Sequence, residues 1–317
     1  MFWRLYGKRA LRQCARVRPE MTDLLFSGIR SEYLAIASSV LYAGTLVSIR
    51  RGMLGGTPLA ALLTVNSIVA AGGLTAAALR GTLFTTALVP LLWFAVIGIF
   101  AQGVGTLTHY TGIERMGVSR STSIQSSSPL WGIVFAVIAL GERPGLAVVA
   151  GTMTIVAGVA LLAYPEEDDG GGGWFRGALV FPVISSVAYA FVPIFAKFAF
   201  IHQQTPLLGF GVAFTAGTLT MLAGRRLLPR GGKIEADFNS MAFFAGAGML
   251  NLGGSVLFWS ALVSGDVIII LPISRLYPLW VLILSALFLG RQEKISIRIV
   301  MAGGMVVSGG VLVTVFQ

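Results

Sequence analysis

Charge is what this sequence has least of. Only 11% of its 317 residues are Asp, Glu, Lys or Arg, against about 25% in an average soluble domain. The deficit is concentrated: no charged residue occurs in 52–79, 81–113, 121–141, 145–165, 177–196, 198–224, 238–265 or 299–317. Each run holds the roughly 20 residues with which a helix crosses about 30 Å of hydrocarbon. Adding 33–49, and 267–290 with Arg275 as its sole interruption, gives ten spans. A soluble α/β domain would need polar faces and turns inside these runs, and a β-barrel would need short alternating segments. Both are excluded, and the expected class is an all-α integral membrane protein.

Cysteine is almost missing as well. The lone Cys14 rules out a disulfide framework, and two histidines beside it cannot build an ordinary structural zinc site. A G-x-x-x-x-G-K-[ST] loop is absent, as are H-E-x-x-H and G-x-S-x-G, so nucleotide-driven pumping, zinc proteolysis and serine hydrolysis lose their signatures. The sequence calls for no metal and no cofactor, and the reading is that the protein is not an enzyme.

What is present begins with a formal charge of +10. Seven of the 23 basic residues lie in the first 30 positions and most others flank apolar runs, where headgroups meet them. A lipid bilayer, and no nucleic acid, is the partner this implies. Residues 1–30 are basic and lack the long apolar core of a secretory signal. They read either as a basic surface arm or as a segment upstream of a true start at Met21, where the character of the chain changes.

The acidic, glycine-rich stretch 165–174 then separates two apolar halves, 31–164 and 175–317, with five spans in each. The halves repeat one another. SSVLYA at 38–43 recurs as SSVAYA at 185–190, a shift of 147 that also sets Arg50 against Lys197. SPLW at 128–131 recurs as YPLW at 277–280, a shift of 149 that also pairs Gly141 with Gly290. With an odd number of spans per unit, the second copy enters the membrane from the opposite side. Inverted repeats of this kind place solute sites near the midplane, where the halves meet.

These residues resemble a known family. Two five-span halves, with GVSRSTSIQSSSPLWGIVFAVIALGERP closing the fourth span, look like the drug/metabolite transporter superfamily and its EamA-domain branch. Gly141, Glu142 and Arg143 match the Gly-Glu-Arg ending of that span. The second copy departs from it, with Gln292 and Glu293 following Gly290 and Arg291. The resemblance implies export or exchange of small metabolites or drugs, with both termini in the cytoplasm. Lys and Arg counts agree with that orientation only when the first twenty residues are included; without them, Arg225, Arg226, Arg230, Lys233, Arg291, Lys294 and Arg298 draw the opposite loops inward. The membrane that fits is a prokaryotic inner membrane.

Arg275 is the residue that most needs explaining. In a ninth helix over 266–289 it lies within about 5 Å of the helix centre, where an arginine costs at least about 2.5–3.5 kcal/mol and must face protein or water. Pro272 and Pro278 cannot donate backbone bonds, so two carbonyls are freed beside it. A planar guanidinium among free carbonyls suits a carboxylate, phosphate or sulfonate. The competing reading is a structural lock. Ser274 and Tyr277 flank the arginine, and Gln125 is the repeat counterpart of Ser274. Ser119, Thr122, Gln125, Ser126 and Pro129 share one face of the fourth helix. Tyr42 and Tyr189, matched by the repeat, would bond or stack on a solute, or else simply pack.

Arg50 and Lys197 stand near helix ends, where headgroup contact is the ordinary role and an anion-attracting vestibule the sharper one. His109 is either a proton carrier or a structural histidine. Gly151, Gly158, Gly303, Gly304, Gly309 and Gly310 give the fifth and tenth helices small faces for close packing, within the chain or between the subunits of a homodimer.

The expected function is secondary transport of a small organic solute with an anionic group, coupled to an ion or proton. No Asp or Glu lies deep in a span, which disfavours a cation–proton exchanger of the small multidrug type. Multidrug or neutral-solute export by the same fold, and a passive channel or scaffold, are the alternatives. A start at Met21 predicts an intact mass without residues 1–20; a mass that includes them would exclude it.

Overall fold

Where water is absent, backbone N–H and C=O groups must bond within the chain, and an apolar run does this by coiling into a helix. The computed structural model describes residues 29–128, 130–131, 134, 145–163, 173–203, 205–227, 232–264, 273–274, 276–290 and 296–315. Within them the chain forms α1 (Ser31–Gly52), α2 (Pro58–Leu79), α3 (Leu88–Ile97), a π-helical stretch (Gly98–Gly105), α4 (Thr106–Met116) and α5 (Val118–Gln125). There follow α6 (Leu146–Ala163), α7 (Gly173–Ala190), α8 (Val192–His202), α9 (Pro206–Gly224), a 3-10 turn (Arg225–Leu227), α10 (Phe238–Ser264), α11 (Tyr277–Phe288) and α12 (Ile297–Val315). Among the described residues, five helices are long and apolar enough to cross a membrane: Ser31–Gly52, Pro58–Leu79, Leu88–Met116, Pro206–Gly224 and Phe238–Ala261. Shorter apolar helices cover Leu146–Gly158, Gly177–Ala190, Tyr277–Phe288 and Ile297–Leu312. Prolines stand in the first turns of α2, α9 and α11, where no intrahelical N–H is required.

The packing crosses from one half of the chain to the other. Helix α1 lies against α10, α2 against α9, α6 against α12, and the stretch from α3 to α4 against α7, α8 and α9. Phe244, Phe210 and Phe94 are fully enclosed in these seams. Close approach is made possible by missing side chains: a Cβ on Gly73 of α2 would stand 2.9 Å from the Gly211 Cα of α9. The small faces of α6 and α12 meet each other inside the chain. A Cβ on Gly158 would lie 2.9 Å from the Ala302 carbonyl oxygen, and one on Gly309 would lie 2.6 Å from that of Gly151. Large apolar side chains such as Leu92, Phe100, Met153, Leu219, Met249 and Leu287 point outward, as lipid contact allows and water does not.

Two connections between halves close the ends. At one, the α1–α2 turn pairs with the segment before α10. The Thr57 N–H donates to the Glu235 carbonyl at 2.8 Å, the Asp237 N–H to the Gly55 carbonyl at 3.2 Å, and the Thr57 hydroxyl to the Lys233 carbonyl at 2.9 Å. At the other, the Ala87 N–H ahead of α3 donates to Gln203 Oε1, after α8, at 3.0 Å. Between α4 and α5 the chain turns on Gly117, at φ 87° and ψ 160°, a region open essentially to glycine alone.

Asp237 caps α10 by accepting the Ser240 N–H at 2.7 Å. The Ser240 hydroxyl and then its N–H hold the Asp237 carboxyl below the ordinary carboxylate range. A depressed value means that the contribution to stability is complete above the unfolded value of about 3.9 and is lost as pH falls through the folded one. Asp237→Asn should therefore lower the unfolding midpoint near pH 7, and the gap from wild type should close below about pH 4. A gap unchanged at pH 3 would remove the carboxylate charge from this account.

Candidate functional site

Helix α5 is short for a reason visible in its bonds. After Gln125 the chain tightens, with the Ser126 N–H on the Thr122 carbonyl at 3.0 Å and the Ser127 N–H on that of Ile124 at 3.0 Å. A serine run, Ser126, Ser127 and Ser128, offers the backbone local alternatives to a helix. Across from it, a turn precedes α11. The Leu276 N–H bonds the Ile273 carbonyl at 3.1 Å, a turn follows at Leu276, and regular helix resumes at Tyr277. The two interruptions correspond under the 149-residue repeat.

Side chains join these breaks. The Tyr277 hydroxyl donates to Gln125 Oε1 in a short bond. Ser126 shares its hydroxyl proton between the Tyr277 oxygen, at 2.9 Å, and the Thr122 carbonyl, at 2.9 Å. Tyr42 of α1 sets its ring edge-on against Tyr277, with centroids 4.9 Å apart. Gln125, Ser126 and Tyr277 are buried, and so are the hydroxyls of Thr122, Ser123 and Ser128, which find no hydrogen-bond partner. Gln125, Ser126 and Tyr277 thus form a buried polar network beside two interrupted helices, without formal charge among its described members. It can offer donors and acceptors to a polar solute.

Of the residues singled out from the sequence, Gln125, Ser126, Tyr277 and Tyr42 come together here. Ser274 is half-buried, two positions before the turn at Leu276. Arg275 lies outside the described residues, as do Pro129, Gly141, Glu142, Arg143 and Asp266, and the side chain of Lys197. Tyr189 belongs to a second group. Its hydroxyl is 2.8 Å from the Thr106 hydroxyl, at the end of the π-helical stretch. The expected headgroup role of Arg50 gives way to a capping one. Its guanidinium donates to the carbonyls of Ile113, at 3.1 Å, and Glu114, at 3.2 Å, at the α4 C-terminus, where a cation meets the negative end of the helix dipole. Ser39 bonds its own helix at Ile36, whereas Ser186 bonds Val183 and accepts the Trp131 indole N–H at 2.7 Å. Glu32 pairs with Arg30 at 3.1 Å at the start of α1.

Sequence reading missed the π-helical stretch. Its wider turns release carbonyls from the α pattern. Asn66 of α2 answers one, donating to the Gln102 carbonyl at 2.9 Å, and Thr106 answers another, donating to that of Ala101 at 3.2 Å. The signal available was a buried asparagine in an otherwise apolar helix, facing a run of glycines around Gln102. Among the described residues no group of three or more His, Cys, Asp or Glu is placed to hold a metal ion.

Known proteins can now be set beside this geometry. One solved chain, described only as the crystal structure of a protein, superposes with a TM-score of 0.61 at 18% identity, over 89% of this chain and 96% of that one. At that identity the likeness speaks for the fold alone. None of the curated proteins matches. The model of the EamA-like transporter family matches twice, at residues 29–164 and 176–315. Those two stretches take in nearly all of the described helices, and the chain accordingly belongs to the EamA-like transporter family, multi-pass membrane transporters of the drug/metabolite type.

Proposed function

We propose that this protein is a secondary active transporter that exports or exchanges a small organic metabolite carrying an anionic group, by alternating access between two halves. The halves are read as inverted five-helix units, 31–164 and 175–317, joined by the linker 165–174 and crossing the membrane ten times. Exchanging first-half and second-half helices turns the α1–α10 contact into that of α7 with the α3–α4 stretch, and returns α2–α9 and α6–α12 to themselves. Such a pattern is expected of a repeated unit interleaved with its own copy. The α1–α2 turn and the segment before α10 bond directly, so an even number of crossings separates them. The ten-span count gives six.

The observation that carries the reading is the pair of matched interruptions, after Gln125 and before Tyr277, joined by the Tyr277 hydroxyl. Discontinuous helices at corresponding positions of two repeats are where transporters of this kind build their solute sites. Gln125, Ser126 and Tyr277 supply donors and acceptors and Tyr42 an aromatic wall, while Tyr189 is assigned to the solute from the second group, beside Thr106. Ser274 and Arg275 adjoin the second break in sequence, with Arg275 assigned to the anionic group and Lys197 to its attraction. The absence of formal charge from this network, among the described residues, favours one second reading, export of neutral solutes or drugs by the same fold. No catalytic role is assigned to any residue. Both termini are placed in the cytoplasm of a prokaryotic cell.

Thermal stabilisation by a panel of anionic, zwitterionic, neutral and cationic metabolites tests the assignment. One anionic class should raise the midpoint of the wild type, by about 2.7 kcal/mol of stability at a hundredfold excess over Kd. Arg275→Gln should remain folded and lose that response. Tyr277→Phe keeps the ring on Tyr42, leaves Gln125 Oε1 unpaired at a cost of about 1–3 kcal/mol, and should weaken the same response. A folded Arg275→Gln protein that responds like wild type to every compound would make the arginine a structural lock. For the orientation, a reporter fused to the C-terminus should read as cytoplasmic, and an external signal would reverse the assignment.

A further inference from the structure

The transport reading leaves one ionisable group unused. His109 sits on α4 with 1% of its surface exposed, and neither ring nitrogen has a hydrogen-bond partner. A buried imidazole with both nitrogens unanswered is unusual in a native protein and calls for a reason. Its surroundings follow from its neighbours. Gly105, His109 and Gly112 recur at i, i+4 and i+7, along one face. A Cβ on Gly105 would stand 3.0 Å from the Ala188 Cβ, and one on Gly112 would stand 3.1 Å from Pro182 Cδ. His109 therefore meets α7 between Pro182 and Ala188, on the turn that carries Ser185. The Ser185 hydroxyl is also completely buried and also lacks a partner. Helix spacing thus sets the two orphaned polar groups on the sides of α4 and α7 that pack together.

Resting on the transport reading, we propose that His109 is the site at which this protein takes up and releases a proton, with Ser185 as its partner on the facing helix. A neutral imidazole has one donor and one acceptor nitrogen, whereas the imidazolium needs two acceptors. The closed contact supplies neither. When α4 and α7 part, water reaches the ring, and a hydronium ion gives its proton to the unprotonated nitrogen, leaving a water molecule. Two waters accept the two N–H groups of the cation, one of them bridging to the Ser185 hydroxyl. Closure of the contact passes the proton back to a departing water, which leaves as hydronium, and the ring is neutral again. The two orphaned groups are thus polar in the state described because their partners belong to another.

No carboxylate from the packed elements competes for this role. Helix α2 and the π-helical stretch carry no Asp, Glu, Lys, Arg, His or Tyr. On α7, Tyr189 is engaged with Thr106, and Arg176 lies near the far end of the helix. Helix α5 brings Arg120. From α1, Arg50 is on the Ile113 and Glu114 carbonyls and Tyr42 is on Tyr277. Helix α4 itself adds Tyr110, and Glu114 and Arg115 at its end, with the Arg115 guanidinium 4.4 Å from the Phe181 ring centroid.

The chain has two histidines, His109 and the exposed His202, so nitrogen NMR can read each ring separately. The full chain, labelled with 15N-histidine, is reconstituted in phosphatidylethanolamine–phosphatidylglycerol vesicles and titrated from about pH 8 to 5, the range in which histidine changes charge. His202→Gln leaves His109 as the remaining signal. The expected result is conversion of the His109 ring nitrogens to the imidazolium form, with a midpoint displaced by half a pH unit or more in Ser185→Ala. A His109 ring that stays neutral throughout while the protein is folded overturns the proposal. A midpoint unmoved by Ser185→Ala overturns the assignment of Ser185. The readout contains no solute, so failure here leaves the transport reading standing. Failure to find any transported solute leaves the titration standing.

Discussion

Every feature of this molecule that bears on function depends on one constraint: in hydrocarbon a peptide group bonds within the protein or pays several kcal/mol. Regular helix is the default solution, and most of the described chain adopts it. Departures then become informative, because each must be repaired locally. The π-helical stretch is repaired by Asn66 and Thr106, and the end of α4 by Arg50. The breaks beside Gln125 and Tyr277 are repaired by a shared hydroxyl network. In these three places the polar side chains sit where the backbone has left its helix.

That constraint also explains what could be read from sequence. Charge-free runs mark helices because a charge is expensive there, and the SSVLYA and SSVAYA repeat exposes the duplication without any structure. Gln125 was legible through its repeat partner, one residue from Arg275. Its bond to Tyr277 was not, since 152 residues separate them and nothing in their spacing encodes the contact. Arg50 looked like a headgroup residue because its acceptors are main-chain carbonyls 63 and 64 positions away, which leave no side-chain signature. The glycines of α6 and α12 announced close packing correctly in kind but did not say against what, and the structure turns them toward each other.

The group around Asn66 was the least visible part. A lone asparagine in an apolar helix has no partner to be recognised by until the π-helical register brings the Gln102 carbonyl to it. Register shifts of this sort accompany close packing, here against α9, where a Cβ on Gly217 would lie 2.8 Å from Gln102. They are tertiary facts, and periodicity in one helix does not contain them.

The two end connections are unequal. One end is fastened by two backbone bonds and a threonine hydroxyl, the other, among the described residues, by the Ala87–Gln203 bond. If a hydrogen bond contributes about 1 kcal/mol net, two extra bonds bias a two-state molecule by roughly thirtyfold toward release at the weaker end. Duplicated halves would, by symmetry alone, idle equally toward both sides of the membrane. On the alternating-access proposal, the unequal fastening would give the molecule a preferred waiting posture, in which a solute arriving at the tightly fastened side would meet a minor population and bind with correspondingly lower apparent affinity.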